Sequence, residues 1–137
     1  MLIWKSKDLL TWTPLTYAHP DRTAGLAPDL AYVDGTYYLY YDRVRVATAK
    51  DPAGPWSDPI WLPEVPDIDP SIFFDDDGKA YITNNQDPEG GSTYTGQKAT
   101  WIQEFDWKNN KMVGPRKMIR NGGHNLADKP IWIEAPH

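Results

Sequence analysis

The residues of this chain best placed to do chemistry are carboxylates, and Asp69 stands out among them. It immediately precedes Pro70, at the start of the run Ser71-Ile72-Phe73-Phe74. Proline fixes its own φ and pushes the residue before it towards extended backbone, so the pair predicts a strand that opens on Asp69 in a stiff, extended pose. No Lys or Arg lies between Trp61 and Asp77, so this acid has no cationic neighbour in its own stretch. Two readings follow: a functional carboxylate, or a cap that accepts hydrogen bonds from backbone N–H groups at the strand mouth. The residue types alone leave both open. The run Asp75-Asp76-Asp77-Gly78 has the look of a calcium loop, but Phe73 and Asn84 stand at that template's first and twelfth positions. It reads as a hairpin tip. His19, His124 and His137 are too scattered to suggest a metal site, and none is expected.

The elements that must hold Asp69 are legible from the same stretch. Ile72-Phe73-Phe74 is an apolar run, Asp75 to Gly78 a polar tip, and Ala80-Tyr81-Ile82-Thr83 a return strand. Asp-Gly between β-forming runs favours a tight turn, since Gly tolerates positive φ and Asp satisfies local backbone groups. The unit recurs. Leu26 to Tyr41 again has an X-Pro start (Ala27-Pro28), an apolar run, an Asp34-Gly35 turn and an aromatic return strand. Each copy continues into a third strand, within Val44–Trp56 in the first and Ala99–Pro115 in the second. Leu2–Pro14 resembles the rear half of such a unit and Lys129–His137 the front of another. The second full unit is longer, with a Gly/Ser/Thr-rich loop around Asp87–Gly96. Repeats of about four short strands are the signature of β-propeller blades. An ordinary β-sandwich with two similar hairpins is the competing arrangement.

Composition bounds the rest. The chain has 137 residues, a length suited to one domain, and includes seven Trp, eight Tyr and thirteen Pro, with little helical periodicity. This points to an all-β chain. The formal net charge of −5, without a basic run, argues against nucleic acid and anionic membrane surfaces as partners. No apolar stretch approaches a transmembrane span. With no Cys, disulfides, thiolate metal sites and Cys nucleophiles are excluded.

Five ordered motifs then resemble one family: SKDLLTW, APDL-x-Y-x-DG-x-YYLYY, ATAKDPAGPWSDP, DIDPSIFFDDDGKAYITNN and IWIEAPH. They look like the five-bladed propeller enzymes of glycoside hydrolase family 43, which are inverting β-xylosidases, α-L-arabinofuranosidases and arabinanases. The Trp101–Val113 and IWIE stretches are most similar to the xylosidase/arabinofuranosidase members. The resemblance implies an all-β partial five-bladed β-propeller with about two complete blades and parts of two others. Residues 1–14 would end blade one, 26–63 form blade two, 67–120 blade three, and 130–137 begin blade four. It implies a xylo- or arabino-oligosaccharide substrate and no cofactor.

Such enzymes use a general base on the first blade, an Asp on the third that helps keep the acid protonated, and a general-acid Glu on the fourth. By resemblance Asp69 is that Asp, in an Asp-Pro-Ser motif. Glu134 is the acid, with Glu134-Ala135-Pro136-His137 standing for the family's usual Glu-Gly-Pro-His. Inverting hydrolysis needs an acid to protonate the leaving oxygen and a separate base to activate water on the sugar's other face. The acid must stay protonated near neutral pH, which desolvation or a nearby like charge achieves. A carboxylate at Asp69 would supply that charge and could hold a sugar hydroxyl. His137 lies in the acid motif as a substrate contact, and Trp132, two residues from Glu134, is a candidate pocket wall. The chain departs from the family at three points. The base would lie upstream of Met1, and no residue matches it. Leu26 stands where the family has a sugar-stacking Trp, and the turn between Tyr41 and Val44 is short. Asp29 is tempting as a base, but it follows Pro28 where Asp69 precedes Pro70, so strand alternation should turn it another way. It reads as a structural or substrate-flank residue. The alternative to an enzyme is a non-catalytic carbohydrate-binding or structural half-propeller. In either case the open propeller edges would favour self-association.

Overall fold

In a computed structural model of the chain, the residues described are 1–19, 25–65, 68–122, 133, 134 and 136. Among them every regular element is a β-strand, and no helix is long and apolar enough to cross a membrane. The first pair is β1 (Leu2–Lys5) with β2 (Thr13–Tyr17). A four-stranded sheet follows: β3 (Asp29–Val33), β4 (Thr36–Tyr41), β5 (Arg45–Ala49) and β6 (Ile60–Trp61). A second comprises β7 (Ile68–Phe74), β8 (Ala80–Gln86), β9 (Ala99–Asp106) and β10 (Lys111–Asn121). Strand order is sequential in each sheet and every pairing is antiparallel, so both are meanders.

Turn chemistry explains the hairpins. Asp34 and Gly35 lie at φ 48° and 71°, with Val33 and Thr36 paired directly across them. Positive φ at both central residues matches the right-handed twist of the flanking strands, and Asp-Gly tolerates it. The tip at 75–78 has only Gly78 in left-handed geometry. There Gly78 N–H donates to Asp75 O at 3.0 Å and Asp75 N–H to Lys79 O at 2.8 Å. The long link between β8 and β9 is ordered by buried Gln97. Its Oε1 accepts from Thr93 Oγ1 at 3.0 Å and its Nε2 donates to Asn121 Oδ1 at 2.9 Å.

The main core is the seam between the two four-stranded sheets. Tyr40, Val44, Val46 and Leu62 from one side meet Ile72, Ala80, Ile82 and Phe105 from the other. Trp107 sits edge-on to Tyr38 and Phe74, with ring centroids 5.6 and 5.5 Å apart. Edge-to-face geometry suits the ring quadrupoles, and truncating a buried ring such as Phe105 costs about 3–5 kcal/mol. A smaller cluster of Ala18, Leu39, Tyr41 and Ala47 joins the first hairpin to the other face of β4. β4 is therefore apolar on both faces, which is why its sequence reads as a nearly continuous aromatic run.

Tyr40 is fully buried, and its hydroxyl has no hydrogen-bond partner among the described residues. Burial above all, then the charges of Tyr38 and Asp29, pushes its phenol well above the ordinary tyrosine range. An unfolded tyrosine ionises near about pH 10, whereas Tyr40 stays neutral in the fold. The stability linked to this group is thus complete below about pH 10 and is lost as pH rises beyond it. Thermal unfolding followed from pH 8 to 11 should show a falling midpoint above about pH 10. Tyr40→Phe should make that fall shallower; an unchanged slope would show that Tyr40 does not cause it.

Candidate active site

Asp69 lies within β7, not at an extended strand start. Its φ is 55°, in the left-handed region, and this corrects the pose expected from the following proline. The register gives the reason. Ile68 pairs with Asn85 and Ser71 with Thr83, leaving Asp69 and Pro70 together opposite Asn84. Two residues against one is a β-bulge, and a bulge turns its strand by placing a residue outside ordinary strand geometry. Aspartate is among the few side chains that visit this region, because its short polar group can bond locally. A non-glycine residue held there stores about 1–3 kcal/mol of strain, and such residues gather at functional sites. Ala27, before Pro28, has the same conformation, at φ 43°. At the matching X-Pro position, then, one sheet presents a methyl group and the other a carboxylate.

The Asp69 side chain is held by the neighbouring strand. Asn85, fully buried on β8, donates from Nδ2 to Asp69 Oδ2 at 3.0 Å. The Asn85 Oδ1 atom is itself buried with no hydrogen-bond partner among the described residues. Two positions away on β8, Thr83 Oγ1 donates to Pro136 O at 3.3 Å. Pro136 is two residues beyond Glu134, whose side chain is exposed. One strand therefore carries both the partner of Asp69 and an anchor for the segment of Glu134. Trp132 and His137 lie outside the described residues.

Asp29 is engaged differently. Its Oδ2 accepts the Ile72 backbone N–H at 2.6 Å, joining the first strand of one sheet to the first strand of the next. This short, charge-assisted bond commits one oxygen of Asp29 to the backbone.

A cleft of about 500 Å³ opens beside Asp69, lined also by Ile68, Leu26, Asp42, Arg43, Arg45 and Trp61. Its mouth is shaped by the turn between β4 and β5. Asp42 Oδ1 accepts from Leu26 N–H at 2.7 Å, and Asp42 N–H donates to Leu26 O at 2.9 Å. Among the described residues no group of three or more His, Asp or Glu is gathered to hold a metal ion.

Several of these residues escape a reading of the sequence. Asn84-Asn85 on a strand is a detectable signal, since asparagine is depleted in strands and needs a reason to be there. Arg43, Arg45 and Trp61 carry no local signal, because only the tertiary fold brings them to the cleft that contains Asp69.

The family model for glycosyl hydrolases family 43 matches residues 1–137. A "Xylosidase/arabinosidase" of Butyrivibrio fibrisolvens is 43% identical over 118 residues, covering 81% of this chain and 22% of the relative. A "Beta-xylosidase" of Formosa agariphila is 37% identical, covering 98% of this chain and 27% of its own length. Among solved structures, a GH43_12 protein retrieved from capybara gut metagenome superposes with a TM-score of 0.82 at 31% identity. It covers 99% of this chain, which spans 29% of that protein. The xylan beta-1,4-xylosidase from Bacillus halodurans gives 0.73 at 33% identity, with coverages of 99% and 29%. The chain thus spans about a quarter of the length of the curated relatives it matches. Its two meanders are part of an all-β propeller, and the chain belongs to glycosyl hydrolases family 43.

Proposed function

We propose that the protein carrying this chain hydrolyses xylosyl or arabinofuranosyl linkages with inversion, with Glu134 as general acid and Asp69 as its charged neighbour. The observation that supports this most is β8, which holds Asp69 through Asn85 and the Glu134 segment through Thr83. The relatives' names, xylosidase and arabinosidase, support the substrate class. The base that activates water is assigned to no residue here. The sheets at 29–61 and 68–121 serve as blades two and three in this reading, with 1–14 ending blade one and 130–137 opening blade four. Trp132, His137 and Asp29 are assigned to the substrate's surroundings.

In the full-length protein, Glu134→Gln should lower kcat on an unactivated xylo- or arabino-oligosaccharide by about 10²–10⁴. A dinitrophenyl glycoside should suffer much less, because its leaving group departs without a proton. Equal loss on both substrates would remove Glu134 from the role of acid. Asp69→Asn keeps the shape and deletes the charge, and should also reduce turnover.

Asn85 is a positioning residue in this scheme. Asn85→Leu should lower kcat with little change in KM, since it removes one of the holds on the Asp69 carboxylate without touching the sugar. Asn85→Ser, which keeps a donor, should restore part of the loss. A loss of thermal stability with kcat intact would show a purely structural role.

We infer that the 137-residue chain on its own associates with copies of itself. Leu9, Leu10, Trp4 and Trp12 are exposed on the first hairpin, and Leu30 and Tyr32 on β3. Large apolar groups gathered on exposed sheet faces favour contact with another chain. Sedimentation at micromolar concentration should show concentration-dependent association; a compact monomer throughout would overturn this.

A further inference from the structure

The cleft beside Asp69 carries a charge pattern that hydrolysis of a neutral sugar does not require. Arg43 projects from a locked turn: Asp42 and Val44 on either side are in left-handed geometry, at φ 56° and 48°, and Asp42 is tied twice to Leu26. Arg45 stands directly across from Trp61 in the β5–β6 register, so the two side chains share one face of the sheet. Trp61 is 65% exposed, and both arginines are exposed. Neither arginine has a hydrogen-bond or ion-pair partner among the described residues. Asp42, the acid nearest in sequence, has Oδ1 engaged by the Leu26 amide. The two guanidinium groups share the cleft with two carboxylates, but neither arginine is ion-paired to them. Asp42 accepts from the Leu26 amide and Asp69 from the Asn85 amide, which leaves both guanidinium forks open to a ligand.

Guanidinium is the side-chain group whose planar fork matches a carboxylate. An exposed indole beside it offers a flat apolar face on which a sugar ring can lie. We propose that Arg43, Arg45 and Trp61 form a subsite for a uronic acid, the carboxylate taken by the arginines and the ring by Trp61. The ligand is a uronic-acid side group on a xylan-type oligosaccharide whose scissile end reaches Asp69. This subsite rests on the glycosidase reading above and gives it a preference for acid-decorated chains over neutral ones.

The test is binding by the full-length protein carrying this chain, in its Glu134→Gln form so that the sugars are not cleaved, measured by calorimetry with xylotriose and with xylotriose carrying one glucuronic acid. The acidic sugar should bind about fivefold or more tightly at low salt, and the preference should shrink at roughly 0.5 M salt. Arg43→Gln/Arg45→Gln should abolish the preference and leave the thermal midpoint unchanged, since both side chains are exposed. Equal affinity for the two sugars, or a preference that survives in the double variant, would overturn the subsite. So would undetectable binding of both sugars, or inorganic phosphate competing as well as free glucuronate, which would mark a general anion site. The neutral xylotriose arm reports on the glycosidase reading separately. A retained acidic preference without neutral binding would count against that reading alone.

Discussion

The hydrogen bond from Ile72 N–H to Asp29 Oδ2 is the constraint on which the geometry around Asp69 rests. The apolar seam between the two sheets supplies most of the adhesion, but packed hydrocarbon is tolerant of small sliding movements. A 2.6 Å charge-assisted bond between the first strands of adjacent sheets is directional. It grips β7 three residues after Asp69, just past the bulge. The bulge is thereby held between that grip on one side and the Asn85 amide on the other. A carboxylate in left-handed backbone geometry, stored at a cost of about 1–3 kcal/mol, keeps its direction only when its surroundings over-determine it.

This arrangement clarifies the relation between the two repeats. Both X-Pro positions adopt the left-handed conformation, so the backbone device belongs to the repeat and not to the chemistry. What distinguishes the copies is the side chain: Ala27 in one, Asp69 in the other. The acid that follows Pro28 has a structural engagement instead, linking its sheet to the neighbour. A fold built from repeated units can specialise one copy in this way without altering the shape that the copies share.

Much of this was legible in the sequence, for local reasons. Asp34-Gly35 and the 75–78 tip announce their turns because turn chemistry is a property of two to four adjacent residues. The aromatic run of β4 announces burial on both faces. The backbone of Asp69 was not legible: the rule for residues preceding proline favours extended geometry, and the bulge that overrides it is set by pairing with β8. Asn85 was missed because its partner is 16 residues away, and Asp29's grip on Ile72 because that partner is 43 residues away. Arg43, Arg45 and Trp61 come together only through the turn at 42–44 and the pairing of β5 with β6.

The sequential strand order also has a kinetic meaning. Each sheet is assembled from hairpins between neighbouring strands, so its pairings close short loops and can form early. The contacts between sheets have larger sequence separation and must wait until both partners exist. On this topology each meander is a natural folding unit, and docking of one on the other is the later event. The cleft beside Asp69 draws residues from both sheets, so it comes into being at that docking step and is absent from either unit alone.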